Sequence, residues 1–168
     1  PGATSSTLTV QQTITSDAGS YNCLVSNTGG FAVSNNATLT VTFTDTDGDG
    51  MQNSWETLYG LNPNNTADAT QDKDGDGDTN KEEFLAGTNP NLPGDNLSAV
   101  ITEITGGNKI TFTAQSRKSY TVQYSDALNA GSWINLQTIA EQFGVRVIEV
   151  SDLTTEPRRF YRVVTPSQ

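Results

Sequence analysis

The sequence contains no histidine and only one cysteine, Cys23, among its 168 residues. The absence of histidine excludes the usual Ser-His and Cys-His nucleophile pairs and most zinc sites. A single cysteine excludes a disulfide bond within the chain. We therefore expect a protein that is not an enzyme. We also expect Cys23 to be a buried core residue, because no histidine is present to activate its thiol.

Positive charge and long apolar runs are also scarce. Nine Lys and Arg residues stand against 19 Asp and Glu residues, so the net charge is -10 and the pI is about 4.2. Such an acidic chain is poorly suited to bind nucleic acid or an anionic membrane. No apolar run approaches the roughly 20 residues of a membrane-spanning helix. We expect no nucleic-acid partner, no membrane insertion, and a processed chain or a piece of a longer one.

The chain does contain two similar acidic stretches, "DTDGDGMQNSWE" at 45–56 and "DKDGDGDTNKEE" at 72–83. An offset of 27 residues relates them, and the similarity continues beyond them. The further matches at this offset are Leu58 with Leu85, Gly60 with Gly87, Asn62 with Asn89 and Pro63 with Pro90. So many matches at one offset indicate an internal duplication.

Both acidic stretches have the spacing of a 12-residue EF-hand loop, which supplies calcium ligands from positions 1, 3, 5, 7, 9 and 12. A solvated acidic loop or a disordered linker would have no reason to repeat glycine at position 6, where Gly50 and Gly77 lie. Closely spaced carboxylates also repel one another without a counter-ion. We predict two calcium ions, with magnesium as the weaker candidate because it demands a tighter octahedral site. The predicted ligands are Asp45, Asp47, Asp49, the Met51 carbonyl, Asn53 (through water) and Glu56 in the first loop, and Asp72, Asp74, Asp76, the Asp78 carbonyl, Asn80 and Glu83 in the second.

A short helix is expected after each loop and none before it. Trp55, Leu58 and Tyr59 stand at helical spacing and would form one apolar face. Gly60 and Gly87 stand where a glycine ends a helix. Helices of two turns are too short to be stable alone, so metal binding should supply part of their folding energy. The two aromatic residues are expected to pack in a small core, and a ligand-binding platform is the alternative.

A calcium loop with only an exiting helix resembles dockerin modules and the thrombospondin type 3-like calcium repeats of secreted bacterial proteins. The resemblance is carried by "DTDGDGMQNSWETLYGLNPNN" and "DKDGDGDTNKEEFLAGTNPN", over about 47 residues. It implies either a rigid calcium-filled connector or, as in dockerins, a docking surface.

Residues 1–43 contain three stretches that alternate at period two, "STLTV", "GSYNCLVSN" and "NATLTVTF", which predict strands. The stretch "SDAGSYNC" resembles the D-A-G-x-Y-x-C motif of immunoglobulin-like domains. This resemblance implies that Tyr21 is a tyrosine corner and that Cys23 faces the core. Such a sandwich needs about seven strands. We therefore expect a partial domain, completed by upstream strands of the same protein or by another copy; a three-stranded sheet packed on the C-terminal domain is the remaining alternative.

Residues 95–168 return to a strand pattern, with strands predicted at 99–104, 109–114, 119–125, 133–139, 145–150 and 159–164. Six short strands predict a sandwich or a barrel-like domain, and we adopt the sandwich. Arg158 and Arg159 are expected to lie in solvent. The predicted core residues are Ile110, Phe112, Tyr120, Val122, Tyr124, Trp133, Leu136, Val147, Phe160 and Tyr161. The segment "KSYTVQYSDALNAGSWINL" with "RRFYRVV" resembles a β-domain at the C-terminus of many large secreted bacterial proteins, which implies an appendage or a surface anchor.

The sequence thus predicts a mainly β chain with three parts: a partial immunoglobulin-like domain at 1–43, a duplicated calcium module at 44–94 and a C-terminal β-sandwich at 95–168. The predicted function is that of a secreted or cell-surface structural or adhesive segment, stiffened by two calcium ions. One form of this hypothesis is a filament subunit joined by strand complementation. The alternatives are a polysaccharide-binding accessory region of a secreted polysaccharide-degrading enzyme and a dockerin-like docking module.

Overall fold

The structure is a computed structural model that describes residues 5–9, 17–129, 131–154, 156 and 158–165. Ten strands and two short α-helices lie in these residues, so the fold is mainly β, as predicted. The chain divides into two compact units, Pro1–Thr44 and Asp45–Gln168. This division falls beside the boundary predicted after residue 43, and the boundary predicted after residue 94 lies inside the second unit. None of the described helices is long and apolar enough to span a membrane.

The first unit contains an antiparallel hairpin with a register change in the middle. Its strands are β1 (Gly19–Tyr21), β2 (Leu24–Asn27), β3 (Gly30–Val33) and β4 (Ala37–Leu39). β1 pairs with β4, and β2 pairs with β3. Between the two ladders, the Ser34 backbone N–H donates to the Cys23 carbonyl at 2.9 Å. The strand predicted from "STLTV" is absent at residues 6–9, and Val10 lies outside the described residues.

None of the described residues of the first unit, 5–9 and 17–44, is buried. Cys23 is exposed, so the prediction of a buried core cysteine is wrong for this chain: a hairpin has no second sheet to cover it. The Tyr21 hydroxyl donates to the Asp17 carbonyl at 2.6 Å. This backward hydrogen bond is the contact expected of a tyrosine corner.

The second unit contains all six predicted C-terminal strands. They are β5 (Ala99–Ile104), β6 (Gly107–Ala114), β7 (Tyr120–Ser125), β8 (Ile134–Ile139), β9 (Arg146–Leu153) and β10 (Phe160–Val164). One antiparallel sheet has the order β5-β6-β9 and the other the order β10-β7-β8. Ile110, Phe112 and Val150 of the first sheet form one core with Tyr120 and Val122 of the second.

The alternation of β9 overturns one predicted core residue. Val147 is 67% exposed. β9 pairs Ile148 with Phe112 and Val150 with Ile110, so its even-numbered residues face the core and Val147 faces away from it. Among the other predicted core residues, Leu136 and Tyr161 pack against the core, whereas Tyr124, Trp133 and Phe160 are half-buried outside it.

Arg159 is a second correction, because its side chain is only 11% exposed instead of solvated. Its guanidinium forms ion pairs with Asp126 at 2.8 Å and with Asp152 at 2.9 Å. The Tyr161 hydroxyl also donates to Asp152, at 3.0 Å. Asp152 lies on β9 and Tyr161 on β10, so this network joins the two sheets. Arg158 is exposed, as predicted.

The module predicted at 44–94 precedes these sheets and contacts them. It consists of α1 (Asn53–Tyr59), a 3₁₀ turn (Asp68–Thr70) and α2 (Asn80–Ala86). The buried Tyr120 hydroxyl donates to the Ala86 carbonyl at 2.9 Å. The Lys118 ammonium donates to the Phe84 carbonyl at 2.5 Å. These bonds attach the end of α2 to the sandwich.

Candidate metal centres

The aspartate at position 1 closes each acidic loop. Asp45 accepts the backbone N–H groups of Gly48 and Gly50, both at 2.8 Å, one on each carboxylate oxygen. Asp72 makes the same two bonds in the second loop, at 2.7 and 3.0 Å. The chain can turn this sharply because the glycine at position 6 takes a positive φ, 84° in the first loop and 108° in the second.

The aspartates at positions 3 and 5 of the first loop each use one oxygen inside the loop. Oδ1 of Asp47 accepts from the Asp49 N–H at 3.2 Å, and Oδ1 of Asp49 accepts from the Met51 N–H at 2.7 Å. Their Oδ2 atoms are buried and accept no hydrogen bond from any described residue. One oxygen of each carboxylate is therefore left for another ligand.

The second loop repeats this arrangement only in part. Asp74 has a buried Oδ2 with no hydrogen-bond partner in the described chain. Oδ2 of Asp76, by contrast, accepts the Gly94 N–H at 3.1 Å. The Gly94 N–H thus occupies one oxygen of Asp76, whereas the equivalent oxygen of Asp49 has no hydrogen-bond partner among the described residues.

The glutamates at position 12 are the most unusual groups of the module. Glu56 and Glu83 are 0% exposed, and none of their four carboxylate oxygens accepts a hydrogen bond from the described residues. Burial, and then the charge of the neighbouring aspartates, raises the pKa of Glu56 to about 7 and the pKa of Glu83 to about 8. A carboxylate can only accept hydrogen bonds, so burying it without a donor or a cation is costly. A divalent cation bound by oxygen atoms fits both places.

Side-chain proximity shows which carboxylates come together in the first repeat. In each of two groups of three residues, one oxygen from each residue lies within 4.8 Å of the other two. The first group is Asp45, Asp47 and Asp49, and the second is Asp49, Glu56 and Asp68. Asp68 lies 12 residues beyond Glu56 and was not predicted. The 27-residue offset holds the signal that could have found it, because it aligns Asp68 with another aspartate, Asp95.

In the second repeat, the group within 4.8 Å is Asp72, Asp74 and Asp76. Among the described residues, neither Glu83 nor Asp95 belongs to such a group of three. The two repeats therefore have the same loop and different surroundings.

The asparagines at position 9 also differ between the repeats. Both side-chain groups of Asn53 are bonded to Thr46, with Oδ1 accepting its N–H at 2.8 Å and Nδ2 donating to its hydroxyl at 2.6 Å. Asn80 is fully buried and donates from Nδ2 to the Asp68 carbonyl at 2.7 Å. Its Oδ1 has no partner among the described residues. The roles of both asparagines as ligands, and of the Met51 and Asp78 carbonyls, stay predictions.

A small apolar core lies between the two helices. The Trp55 ring is 4.8 Å from Tyr59 and 5.2 Å from Phe84, measured between ring centroids. Leu58 is 74% exposed, so the predicted apolar face is wrong at this residue. Leu58 follows the buried Glu56 by two residues, and two residues rotate a side chain to nearly the opposite side of a helix.

The ends of the helices agree with the sequence. Gly60 and Gly87 take positive φ angles of 70° and 83° and end α1 and α2. Within the described residues, no helix precedes the first loop, and a 3₁₀ turn separates α1 from the second loop. Each repeat is therefore a loop followed by an exiting helix, as predicted.

Comparison with known proteins identifies the two acidic segments. Residues 45–66 and 72–93 each match the bacterial TSP3 repeat. Repeats of this family bind calcium and occur in extracellular proteins. No curated protein and no solved structure matches the chain. The chain thus contains two segments that match a family of calcium-binding repeats, with acidic clusters that could hold the ions.

Proposed function

We propose that this protein is a non-enzymatic, extracellular structural segment in which one calcium ion per repeat makes the link between β regions rigid. The observation that carries the proposal is the pair of fully buried glutamates, Glu56 and Glu83, whose oxygens have no hydrogen-bond donor among the described residues. Calcium would satisfy these oxygens and neutralise the aspartates around them. It would also hold each loop against the first turn of the following helix.

The size of the helices supports the same proposal. α1 and α2 have seven residues each. Isolated helices shorter than roughly 12 residues are marginal in water. The core between them is small, with Met51, Ala69 and Phe84 as its buried apolar residues in the described chain. Metal binding would therefore contribute directly to the folding of the module, and the link would be stiff only when loaded.

Calorimetric titration with calcium tests the proposal. The unaltered chain should bind two ions, in the range of roughly 10⁻⁴ to 10⁻³ M that is common in extracellular modules. Asp45→Ala and Asp72→Ala should each remove one ion. Glu103→Ala is the matched control, because Glu103 is an exposed carboxylate on β5 outside the acidic clusters. The absence of calcium uptake by the unaltered chain would refute the proposal.

The lack of enzymatic activity is part of the proposal. The chain has no histidine, and we assign the clustered carboxylates of the repeats to calcium. Outside the repeats, the buried carboxylate of Asp152 is paired with Arg159 and hydrogen-bonded to Tyr161, which leaves it poorly suited to proton transfer. Turnover of any member of a polysaccharide panel would overturn this part.

The surroundings of the aromatic residues favour the connector over a polysaccharide-binding face. Such a face would need a row of exposed rings. Tyr120 is instead buried. The Arg159 guanidinium carbon lies 4.0 Å from the centroid of Tyr124, and that of Arg162 lies 4.3 Å from the centroid of Trp133. Rings covered by arginine in this way support a packing role.

A dockerin-like role would need the same apolar patch on both helices. Leu58 and Leu85 are equivalent in the two repeats. Leu58 is exposed, whereas Leu85 packs against the small core of the module. The patch is therefore not duplicated, and this difference also supports the connector.

We further propose that preceding strands of the same protein cover the N-terminal hairpin. Leu24 pairs with Val33, and Phe31 lies two positions along the same face, so the three side chains share one side of the hairpin. They are 63%, 53% and 76% exposed. An uncovered apolar face is unfavourable in water, and bare strand edges can accept further strands.

Thiol accessibility tests this second proposal. In the 168-residue chain, Cys23 should react rapidly with a thiol reagent, whereas a longer natural version should protect it. Protection of Cys23 in the isolated monomeric chain would contradict the proposal. Protection that grows with concentration, together with filaments in electron micrographs, would assign the covering strands to a second copy instead.

A further inference from the structure

The segment between the two repeats places a carboxylate beside the first acidic loop. Asp68 begins the 3₁₀ turn, outside the 12-residue loop. Its side chain is buried with 4% exposure. One of its oxygens lies within 4.8 Å of oxygens from Asp49 and Glu56. Asp49 is also a member of the group with Asp45 and Asp47, so it links the two groups.

The two carboxylate oxygens of Asp68 differ in their hydrogen bonding. Oδ2 accepts the Asn62 N–H at 2.9 Å and closes the turn after α1. Oδ1 is buried and accepts no hydrogen bond from any described residue. The same holds for Oδ2 of Asp49 and for both oxygens of Glu56. Four buried, acceptor-only atoms thus lie on three adjacent residues, which is a donor set for a hard cation.

The backbone of Asp68 is held from two sides. Its N–H donates to the Asn65 carbonyl at 3.0 Å, and its carbonyl accepts from the buried Asn80 side chain at 2.7 Å. Asn80 belongs to the second acidic loop. The position of the carboxylate is therefore set by the turn before it and by the repeat after it.

We propose that Asp68 is a direct ligand of the first calcium ion and completes that site from the segment between the repeats. This inference rests on the proposed function, since it assumes that the first loop binds calcium. Asp68 adds a fifth carboxylate to the first site, and the bond between its carbonyl and Asn80 connects that site to the second loop. Calcium at the first loop would thereby order the segment that joins the repeats.

The second repeat offers a matched control. Asp95 is the equivalent of Asp68, and its Oδ2 accepts the Asn89 N–H at 3.1 Å, just as Asp68 accepts that of Asn62. Asp95 does not belong to a carboxylate group within 4.8 Å among the described residues. An asparagine at either position keeps an oxygen for the backbone N–H and loses only the negative charge. Comparing the two variants therefore distinguishes a role in metal binding from a role in closing the turn.

The experiment measures calcium binding by calorimetry in a background of Asp72→Ala, which leaves the first site alone. Adding Asp68→Asn should weaken the remaining site by about tenfold or more, because substitutions around metal ligands commonly cost about 10- to 100-fold in affinity. Adding Asp95→Asn should leave the affinity unchanged. Cooperative thermal unfolding without calcium should show that both double variants are folded.

Luminescence lifetimes of bound Tb³⁺ in H₂O and D₂O provide a second readout on the same proteins. Asp68→Asn should admit an additional metal-bound water, and Asp95→Asn should not. Unchanged affinity and hydration in Asp68→Asn would overturn the inference while leaving the proposed function intact, as would equal weakening by both variants. Failure of the unaltered chain to bind calcium would instead refute the proposed function.

Discussion

The two repeats carry the same residue at 12 of 22 aligned positions and differ in what surrounds them. Glu56 and Glu83 are both fully buried at position 12. α2, however, is attached to the sandwich through Tyr120 and Lys118, whereas the described contacts of α1 lie within the module. A duplication therefore repeats the ligand pattern of the loop without repeating the tertiary contacts of the helix.

Removal of calcium should have the largest effect on stability, and it should affect α1 and α2 to different extents. Chelation would forfeit roughly 2.7 kcal/mol per ion, if free calcium had been 100 times the dissociation constant. We expect the amides of α1 to lose more hydrogen-exchange protection than those of α2, because the bonds of Tyr120 and Lys118 to α2 do not depend on metal. Mass spectrometry of exchange with and without EGTA measures this. Equal loss in both helices would show that the sandwich does not support α2.

The pH dependence without calcium should be the next largest effect. The folded-state pKa values of Glu56 and Glu83, about 7 and about 8, lie above the ordinary value of 4.5. A raised carboxyl pKa stabilises the folded state at low pH, and this contribution is lost as the pH rises through the folded pKa. The melting temperature of the calcium-free protein should therefore fall between pH 5 and pH 8.5.

Two isosteric variants show how much of this pH dependence comes from each repeat. Glu56→Gln should remove the part of the decrease that is complete near pH 7, and Glu83→Gln the part that continues to about pH 8. Calorimetry across the pH range, with Glu103→Gln as control, is the measurement. A calcium-free protein that becomes more stable over this range would contradict the burial of both glutamates.

Loss of the hydroxyl of Tyr120 should weaken the attachment of α2 to the sandwich. This group accepts the Gln115 N–H and donates to the Ala86 carbonyl, both at 2.9 Å. Tyr120→Phe would leave these partners unsatisfied, at a cost of about 1–3 kcal/mol in the free energy of unfolding. Chemical denaturation in saturating calcium measures it. Tyr124→Phe is the control, because the described structure shows no hydrogen bond for that hydroxyl, and an equal loss in the two variants would contradict this role.

The equivalent leucines should show the smallest difference. Leu85→Ala should destabilise the protein by about 1–2 kcal/mol, below the roughly 2–5 kcal/mol of a fully buried leucine, because Leu85 is half-buried. Leu58→Ala should stay within about 0.5 kcal/mol, since its side chain is 74% exposed. Denaturant titration compares the two variants. A reversed order would show that α1 buries Leu58 against a surface outside the described contacts.

The two β regions show what an alternating sequence pattern can predict about strands and their burial. Both alternate at period two, and all six C-terminal strands were predicted within three residues at their ends. Among the described residues, only the C-terminal strands have a second sheet to pack against, so Ile110 and Val122 are buried while Leu24 and Phe31 are exposed. Alternation determines which residues share a face, but burial also requires another surface in contact with that face.

The acidic loops were the most predictable part, because the ligands predicted from each loop lie within 12 residues of one another. The sequence by itself determined the glycine at position 6 of each loop, the helix ends at Gly60 and Gly87, and the carboxylates of each loop. The reason is that backbone turns and ligand spacing are local properties of the chain.

Only the tertiary structure decided which residues join these local features. It brought Asp68 beside Glu56, turned Leu58 into solvent, paired Arg159 with Asp152 and attached α2 to Tyr120. Each of these outcomes depends on segments that are distant in the chain or on a helix side that is chosen by packing. Contacts of this kind are set by the packed fold as a whole, so local spacing could not predict them.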